Sequence, residues 1–285
     1  MESEKEGFPV TAAREIKLLK SMAHPNIVKL KSICASSSEA VFLVFEYLEF
    51  DLAGLLPAGL TMAQVKYILR GILQALHYLH SHGVLHRDLK GSNVLVGRDG
   101  AIKLADFGLA KCMRHPDLRT TRMLTNRVVT LWYRPPEVLL GATSYGPSVD
   151  MWGVGCILLE LISGRAVFTG QDELTQLRAI CERCGPMVGG WPWLRLMGEM
   201  PSPGISLEAE FGPRLGELGM NLVRGLLAMD PEQRIDTETA LKHPWFQEEP
   251  LACLSTELIN PTIEGDCHEF EFKQRKRNVK QRVSS

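Results

Sequence analysis

Three short motifs in this 285-residue chain put acids, an amide and a lysine at spacings that could do chemistry. The first is His86-Arg87-Asp88-Leu89-Lys90-Gly91-Ser92-Asn93; the second, thirteen residues after Asn93, is Asp106-Phe107-Gly108; the third is Arg134-Pro135-Pro136-Glu137. A carboxylate can orient a hydroxyl and accept its proton, and a lysine supplies a fixed positive charge. Carboxylate and amide oxygens are the ligands a hard divalent cation prefers. Taken singly, each acid reads more readily as a helix cap or a loop carboxylate. The joint order and spacing, with room for one hairpin between the first two motifs, reverse that preference. The reading requires the side chains at 88, 93 and 106 to converge.

The elements that must position these residues are legible around them. A long amphipathic helix leads into the first motif. It opens on a capping box, Thr61 and Gln64, carries Val65, Ile68, Leu69, Ile72, Leu73, Leu76 and Leu79 on one face, and closes at Gly83. Between the first two motifs, strands at Val94 to Val96 and Ala101 to Leu104 flank the turn Gly97-Arg98-Asp99-Gly100. Upstream, residues 9 to 22 have helical periodicity broken by His24-Pro25-Asn26, and the runs Ile27 to Cys34 and Ala40 to Phe45 predict a second hairpin. Downstream, Val149 to Ile162 is almost wholly apolar and predicts a buried helix, while Glu173 to Cys184, Leu218 to Met229 and Thr237 to Leu241 are amphipathic. After His243-Pro244-Trp245-Phe246 the pattern fades into a basic end, Lys273 to Arg282, expected to be solvated and disordered. A nuclear import signal or an RNA contact is the alternative for that run.

A formal net charge of −1 provides no overall field toward nucleic acid or an anionic membrane, so direct nucleic-acid contact is expected only through the basic tail. The charged opening has no apolar core, and no run of eighteen apolar residues follows, so neither secretion nor a membrane partner is expected. Seven scattered cysteines fit a reducing, intracellular compartment. Cys181 and Cys184 form a lone C-x-x-C that reads as helix packing rather than as a metal site.

H-R-D-L-x-x-x-N followed by D-F-G and R-P-P-E resembles the protein kinases, over about residues 5 to 246. The resemblance implies an α+β, two-lobed fold with an incomplete small β lobe over 1–48, a mainly helical large lobe over 49–247 and a tail over 248–285. It also implies ATP and Mg2+ as cofactors. Asp88 would orient the substrate hydroxyl and accept its proton, Asn93 and Asp106 would hold Mg2+, and Lys90 would stabilise the transferring group. Glu137 and Arg234 would form a buried ion pair under the activation segment, and Asp150 would support the catalytic loop. Phe45 would be the gatekeeper, backbone groups of Glu46 and Leu48 would bond the purine edge, Leu95 would lie under the ring, and Asp51 would sit near the ribose.

Within that family, Pro9-Val10-Thr11-Ala12-Ala13-Arg14-Glu15 is similar to the cyclin-binding helix of cyclin-dependent kinases. Thr125 to Glu137 resembles the transcriptional branch that phosphorylates the C-terminal domain of RNA polymerase II, which implies a nuclear protein. Thr125 would be the activation-loop phosphosite, clamped by Arg14, Arg87 and Lys111, the last standing where the family usually has arginine. Val128 and Val129 would form the pocket that favours proline after the target residue, making Ser-Pro and Thr-Pro proteins the expected substrates. A cyclin-like subunit is the expected partner. Ala13 weakens that expectation, since it replaces an isoleucine whose loss at a packed site costs about 2 to 5 kcal/mol.

The family places three strands, a glycine-rich loop and a strand lysine before the helix, and the eight residues ahead of Pro9 do not hold them. On this reading the chain is N-terminally truncated, the regulatory Glu15 lacks its lysine, and two strands with an open edge form a poorly ordered small lobe. Two functions follow: an active proline-directed kinase whose start lies upstream, or an impaired short form that binds a cyclin or substrate. A small-molecule phosphotransferase fits less well, because Glu137 and the distant Arg234 belong to a platform for protein substrates.

Overall fold

The computed structural model describes residues 19–35, 41–113, 130–185, 204–259 and 267–269. Residues 19–21 are helical, and the break at Pro25-Asn26 leads into an antiparallel pair, β1 (Leu30–Ala35) and β2 (Val41–Phe45), as the two apolar runs predict. Beyond it come β3 (Phe50–Asp51) and the one-turn helix α1 (Leu52–Leu55), capped by the Asp51 carboxylate, which accepts from the Gly54 amide at 2.7 Å. Helix α2 (Met62–Ser81) starts at the predicted capping box: the Thr61 hydroxyl accepts from the Gln64 amide, and the Gln64 side chain accepts from the Thr61 amide. Removing such a cap costs about 1 kcal/mol. The seven apolar residues of its predicted face are all buried.

Four short strands follow, β4 (Val84–Leu85), β5 (Val94–Val96), β6 (Ile102–Leu104) and β7 (Lys111–Cys112). β3, β5 and β6 form one antiparallel sheet, and β4 pairs with β7. The rest is helical: α3 (Pro136–Leu139), α4 (Ser148–Ser163), α5 (Glu173–Cys184), α6 (Leu207–Leu226) and α7 (Thr237–Leu241). Helix α4 is buried from Val149 through Ile162, which is why its sequence has no polar face. It is the axis of the large lobe, with α2 and α6 packed against it. Gly155 allows the closest approach, since a Cβ there would meet the Leu227 side chain at 2.6 Å.

Three features differ from the sequence reading. The helix expected over Leu218 to Met229 is the second half of α6, which begins at Leu207 and breaks at Gly216, where φ is 66°. Pro213 and that glycine interrupt the periodicity and hide the first half. β3, β4 and β7 are two residues each, too short for an alternation to show. Finally, residues 248–259 and 267–269, assigned to the disordered tail, are packed on the large lobe. The Lys66 ammonium donates to the Glu248 carbonyl at 2.6 Å, the Cys253 amide donates to the Ala63 carbonyl at 3.1 Å, and Cys267 forms a β-bridge with Phe50. Backbone and single-residue contacts of this kind leave no periodic trace.

Two of the buried ionisable sites have consequences that stability measurements can read. Arg234 and Glu137 form a two-pronged pair at 2.8 and 3.1 Å, the guanidinium also donating to the carbonyls of Ser148 and Ala228 and lying over the Trp152 ring. Arg234→Ala strands a buried carboxylate and should lower the unfolding free energy in urea by about 3 to 5 kcal/mol, with Arg234→Lys losing less. Glu160 is buried on α4, and burial pushes its carboxyl from an ordinary 4.5 up to about 7, against the lowering effect of the Tyr133 hydrogen bond. The folded chain therefore holds a proton that the unfolded chain has released. This contribution to stability is present below about 4.5 and is lost as pH rises through about 7. Denaturation midpoints measured across that window should fall more steeply for the wild type than for Glu160→Gln.

Candidate active site

The first motif is organised from behind by Asp150, which is 1% exposed in the first turn of α4. Its carboxylate accepts from the backbone amides of His86 at 3.0 Å and Arg87 at 2.8 Å, and bonds the His80 ring at 2.8 Å. Burial pushes the Asp150 carboxyl up, but His80, the His86 ring and the Arg87 amide outweigh it and hold it below the usual range. The two bonded amides flank a backbone that otherwise disfavours itself: Arg87 has φ 68°, a left-handed conformation that non-glycine residues seldom adopt. His80 was not singled out in the sequence; its signal is its place in the last turn of a helix that ends at Ser81, just before the motif.

His86 ties the first motif to the second. Its Nδ1 accepts from the Asp88 amide at 3.3 Å, so Nε2 carries the hydrogen donated to the Ala105 carbonyl at 3.0 Å. The ring meets Phe107 edge-on at 5.1 Å, and complete burial keeps it neutral by lowering its pKa. The β5-β6 hairpin closes the remaining gap. Val94 pairs with Leu104, and the Ala105 amide donates to the Asn93 carbonyl at 2.9 Å, which sets Asn93 beside the start of Asp106-Phe107-Gly108. Asp106 is exposed with φ 61°, the second non-glycine residue described in the left-handed region.

Asp88 is the focus of the cluster. Lys90 Nζ donates to one carboxylate oxygen at 2.6 Å and the Asn93 amide donates to the same oxygen at 3.0 Å, while the Thr130 hydroxyl and amide donate to the other at 3.0 and 3.3 Å. Burial raises the Asp88 pKa, but Lys90 and Thr130 more than offset it, so the carboxyl stays below its ordinary value and is ionised at neutral pH. Asn93 also donates to the Asp88 carbonyl at 2.8 Å, which turns its amide oxygen away from Asp88. Direct bonds join Asp88 and Asn93, and the hairpin sets Asp106 next to Ala105, whose amide bonds the Asn93 carbonyl.

The predicted nucleotide residues lie at the end of β2, in the crossing that follows it, and on β3 and β5. Glu46 donates its amide to the Lys29 carbonyl at 3.0 Å, which leaves its own carbonyl as the group it can offer a purine. Its carboxylate takes the Lys29 amide at 2.7 Å and the Lys103 ammonium at 2.8 Å. Leu48 is buried, Phe45 is part-buried at the end of β2, and Leu95 pairs across the sheet with Asp51. Asp51 is more engaged than the sequence suggests: one oxygen caps α1, and the other accepts from the Glu269 amide at 2.8 Å, with the His268 ring at 3.5 Å. Residues 267–269 thus adjoin the site, and sequence reading missed them because they stand alone in an aperiodic tail.

Arg87 and Lys111 are the two described residues of the expected anion clamp. Arg87 is held by the Leu109 carbonyl at 2.6 Å and the Tyr145 hydroxyl at 3.3 Å, and Lys111 pairs across β4-β7 with Leu85. Burial and the Arg87 charge lower the Lys111 pKa. Arg14, Glu15, Thr125, Val128 and Val129 lie outside the described residues.

Known proteins resemble this chain in sequence and fold. Residues 1–246 match the family described as Protein kinase domain. Cyclin-dependent kinase C-1 of Arabidopsis thaliana is 42% identical over 301 residues, covering 97% of this chain and 58% of the relative, so the chain spans little more than half of that protein. Cyclin-dependent kinase 9 of Danio rerio is 41% identical over 294 residues, covering 95% of this chain and 78% of the relative. A chain in the crystal structure of the yeast RNA Pol II CTD kinase CTDK-1 complex superposes with a TM-score of 0.80 at 39% identity, over 89% of this chain and 86% of that one. Motif geometry, fold and identity across nearly the whole chain agree, and the chain belongs to the protein kinases, among the cyclin-dependent kinases.

Proposed function

We propose that the chain transfers the γ-phosphate of ATP to serine and threonine in proteins, at sites followed by proline. The observation that carries this reading is the gathering of Lys90, Asn93 and Thr130 on the Asp88 carboxylate, with Asp106 brought alongside by the hairpin. Phosphoryl transfer asks a protein for positioning and charge rather than covalent work. An ionised Asp88 is a strong acceptor for the hydroxyl that attacks, and its lowered pKa suits orientation first and proton uptake late. Lys90 keeps a positive charge where the transferring group would arrive. Asn93 and Asp106 offer an amide and a carboxylate oxygen, a donor set that fits Mg2+, which keeps several waters and shares phosphate oxygens. Bound there, Mg2+ would neutralise charge building on the phosphates. The Glu46 carbonyl and the Leu48 backbone would meet the purine edge above Leu95.

The polymerase tail is the candidate substrate, since the structural neighbour is a CTD kinase, and a cyclin-like subunit is the candidate partner through the segment bearing Arg14 and Glu15. Val128 and Val129 would accept proline, which has no N–H to bury unpaired. Nuclear residence follows from that substrate.

Asp88→Asn should lower transfer to a Ser-Pro peptide by about 100-fold or more, measured with radiolabelled ATP. Equal transfer by both proteins would sink the reading. The clamp gives a second expectation. Phosphorylation of Thr125 should raise the rate, and Lys111→Met should reduce that rise about 10-fold while Lys111→Arg preserves it, because a phosphate bonds the arginine fork at least as well.

A further inference from the structure

A cleft of about 90 Å3, lined by Arg165, Ala166, Val167, Thr169, Arg183 and Glu210, lies outside the cluster around Asp88. Three elements contribute to it: the segment that follows α4, the last turn of α5 with Arg183, and the first turn of α6 with Glu210. The Arg183 guanidinium bonds Glu210 Oε2. The Arg165 guanidinium stands 4.0 Å from Oε1, too far for a hydrogen bond, and its side chain is 76% exposed. Two arginines are thus set against one carboxylate, which leaves one positive charge in excess. An ion pair as open as that of Arg165 is weak, so this side chain can turn to an incoming anion at little cost.

The cleft is too small for a nucleoside or a drug-sized ligand, which needs about 300 Å3 or more. A carboxylate entering it would only duplicate Glu210. A phosphate brings a charge of about −1.5 to −2 and three acceptor oxygens, enough to bond both arginine forks at once. Glu182 and Glu208 stand beside the basic residues, which suits a single phosphate and opposes a run of them, as on a nucleic-acid backbone. The chain also links the cleft to the site of transfer. Five residues beyond Arg165, the Gly170 carbonyl accepts from Trp132 Nε1 at 3.1 Å. Trp132 is 44% exposed and lies on the turn Leu131–Tyr133, directly after Thr130, which bonds Asp88. Five residues span at most about 18 Å, within reach of a peptide that extends from Asp88. Resting on the phosphoryl-transfer reading above, we infer that this cleft binds a phosphate already carried by the protein substrate, on a serine or threonine several residues from the one being modified.

The probes are Ser-Pro peptides with one phosphoserine about three, six or nine residues to either side of the target serine, each with an unphosphorylated twin. Calorimetry on the full chain reads the cleft without catalysis, using peptides whose target serine is alanine. At the best spacing the phosphorylated peptide should bind about 5-fold more tightly than its twin. Arg165→Met and Arg183→Met should each abolish that preference, and Arg165, being exposed, carries the test if the Arg183 variant does not fold. Glu210→Gln leaves both forks to the ligand and should widen the preference about 3-fold; a weaker preference there overturns the inference. Equal affinity at every spacing also overturns it, as does a preference that survives Arg165→Met. An RNA oligonucleotide that binds these arginines more tightly than the phosphopeptide assigns the cleft to nucleic acid instead. Steady-state kinetics then read the source of the phosphate: KM for the phosphorylated peptide should fall about 5-fold with kcat within about twofold. A phosphate that binds but lowers KM at no spacing overturns its assignment to the substrate. Wild-type transfer no greater than that of Asp88→Asn faults the phosphoryl-transfer reading, and calorimetry still decides the cleft.

Discussion

A single buried carboxylate, that of Asp150, is the constraint on which the site depends. It sits near the amino end of the most deeply buried helix, where the dipole and the free amides of the first turn favour an anion. From there it takes two consecutive backbone amides of the catalytic loop, at His86 and Arg87. Holding Arg87 in a left-handed conformation is unfavourable by itself, and two charge-assisted bonds from one carboxylate are what an isolated loop would lack. The price of burying Asp150 is met by His80 and by those same amides, so the helix and the loop fold as one unit. The apolar identity of α4 serves this arrangement, because a helix buried on every side cannot rotate or slide to release the loop.

From that fixed point the remaining groups are reached by short, directional links. His86 carries the constraint forward to Ala105 and Phe107, the hairpin carries Asn93 to the same place, and Thr130 brings in the turn Leu131–Tyr133. The electrostatics are consistent with this wiring. Every polar contact on the Asp88 carboxylate comes from a donor, so its negative charge is kept despite burial. Glu160 is buried to the same degree, its hydrogen bond from Tyr133 does not offset burial, and its carboxyl rises. Two buried acids are separated in this way by their partners rather than by their depth.

Much of this was legible in the sequence, and the rest was not for identifiable reasons. Thr61 and Gln64 located α2 to the residue because a capping box is a local motif, and Glu173 to Cys184 and Thr237 to Leu241 matched because their periodicity is complete. The cluster of Asp88, Lys90, Asn93 and Asp106 was readable because motif spacing encodes it. The contributions of His80, Tyr133 and Glu160 were not, since each acts through one bond to a residue far along the chain and resembles ordinary helix or core composition. The ordered stretch at 267–269 was hidden for the same reason: a single β-bridge to Phe50 has no pattern. Asp51 was read as a residue near the ribose, and that reading did not include the bonds its carboxylate accepts from Gly54 as the cap of α1 and from Glu269.

The small-lobe strands illustrate how a marginal element is held. A two-stranded ribbon is barely stable alone, and the outer face of β2 leaves Phe42 57% exposed. Its anchorage comes from the large lobe's own hairpin. Val28 donates to the Leu104 carbonyl, the Leu104 amide donates to Asn26, the Asn26 side chain donates to the Ile102 carbonyl, and Glu46 takes both the Lys29 amide and the Lys103 ammonium. These are contacts to β6 and its neighbours, the same strand whose end delivers Asp106. The crossing at 46–48 and the residues Asn93 and Asp106 are therefore registered to one short strand rather than to two separate lobes. A change in the angle of β1 and β2 would pivot about that strand, and the distance from the Glu46 carbonyl to Asn93 and Asp106 would vary least of all.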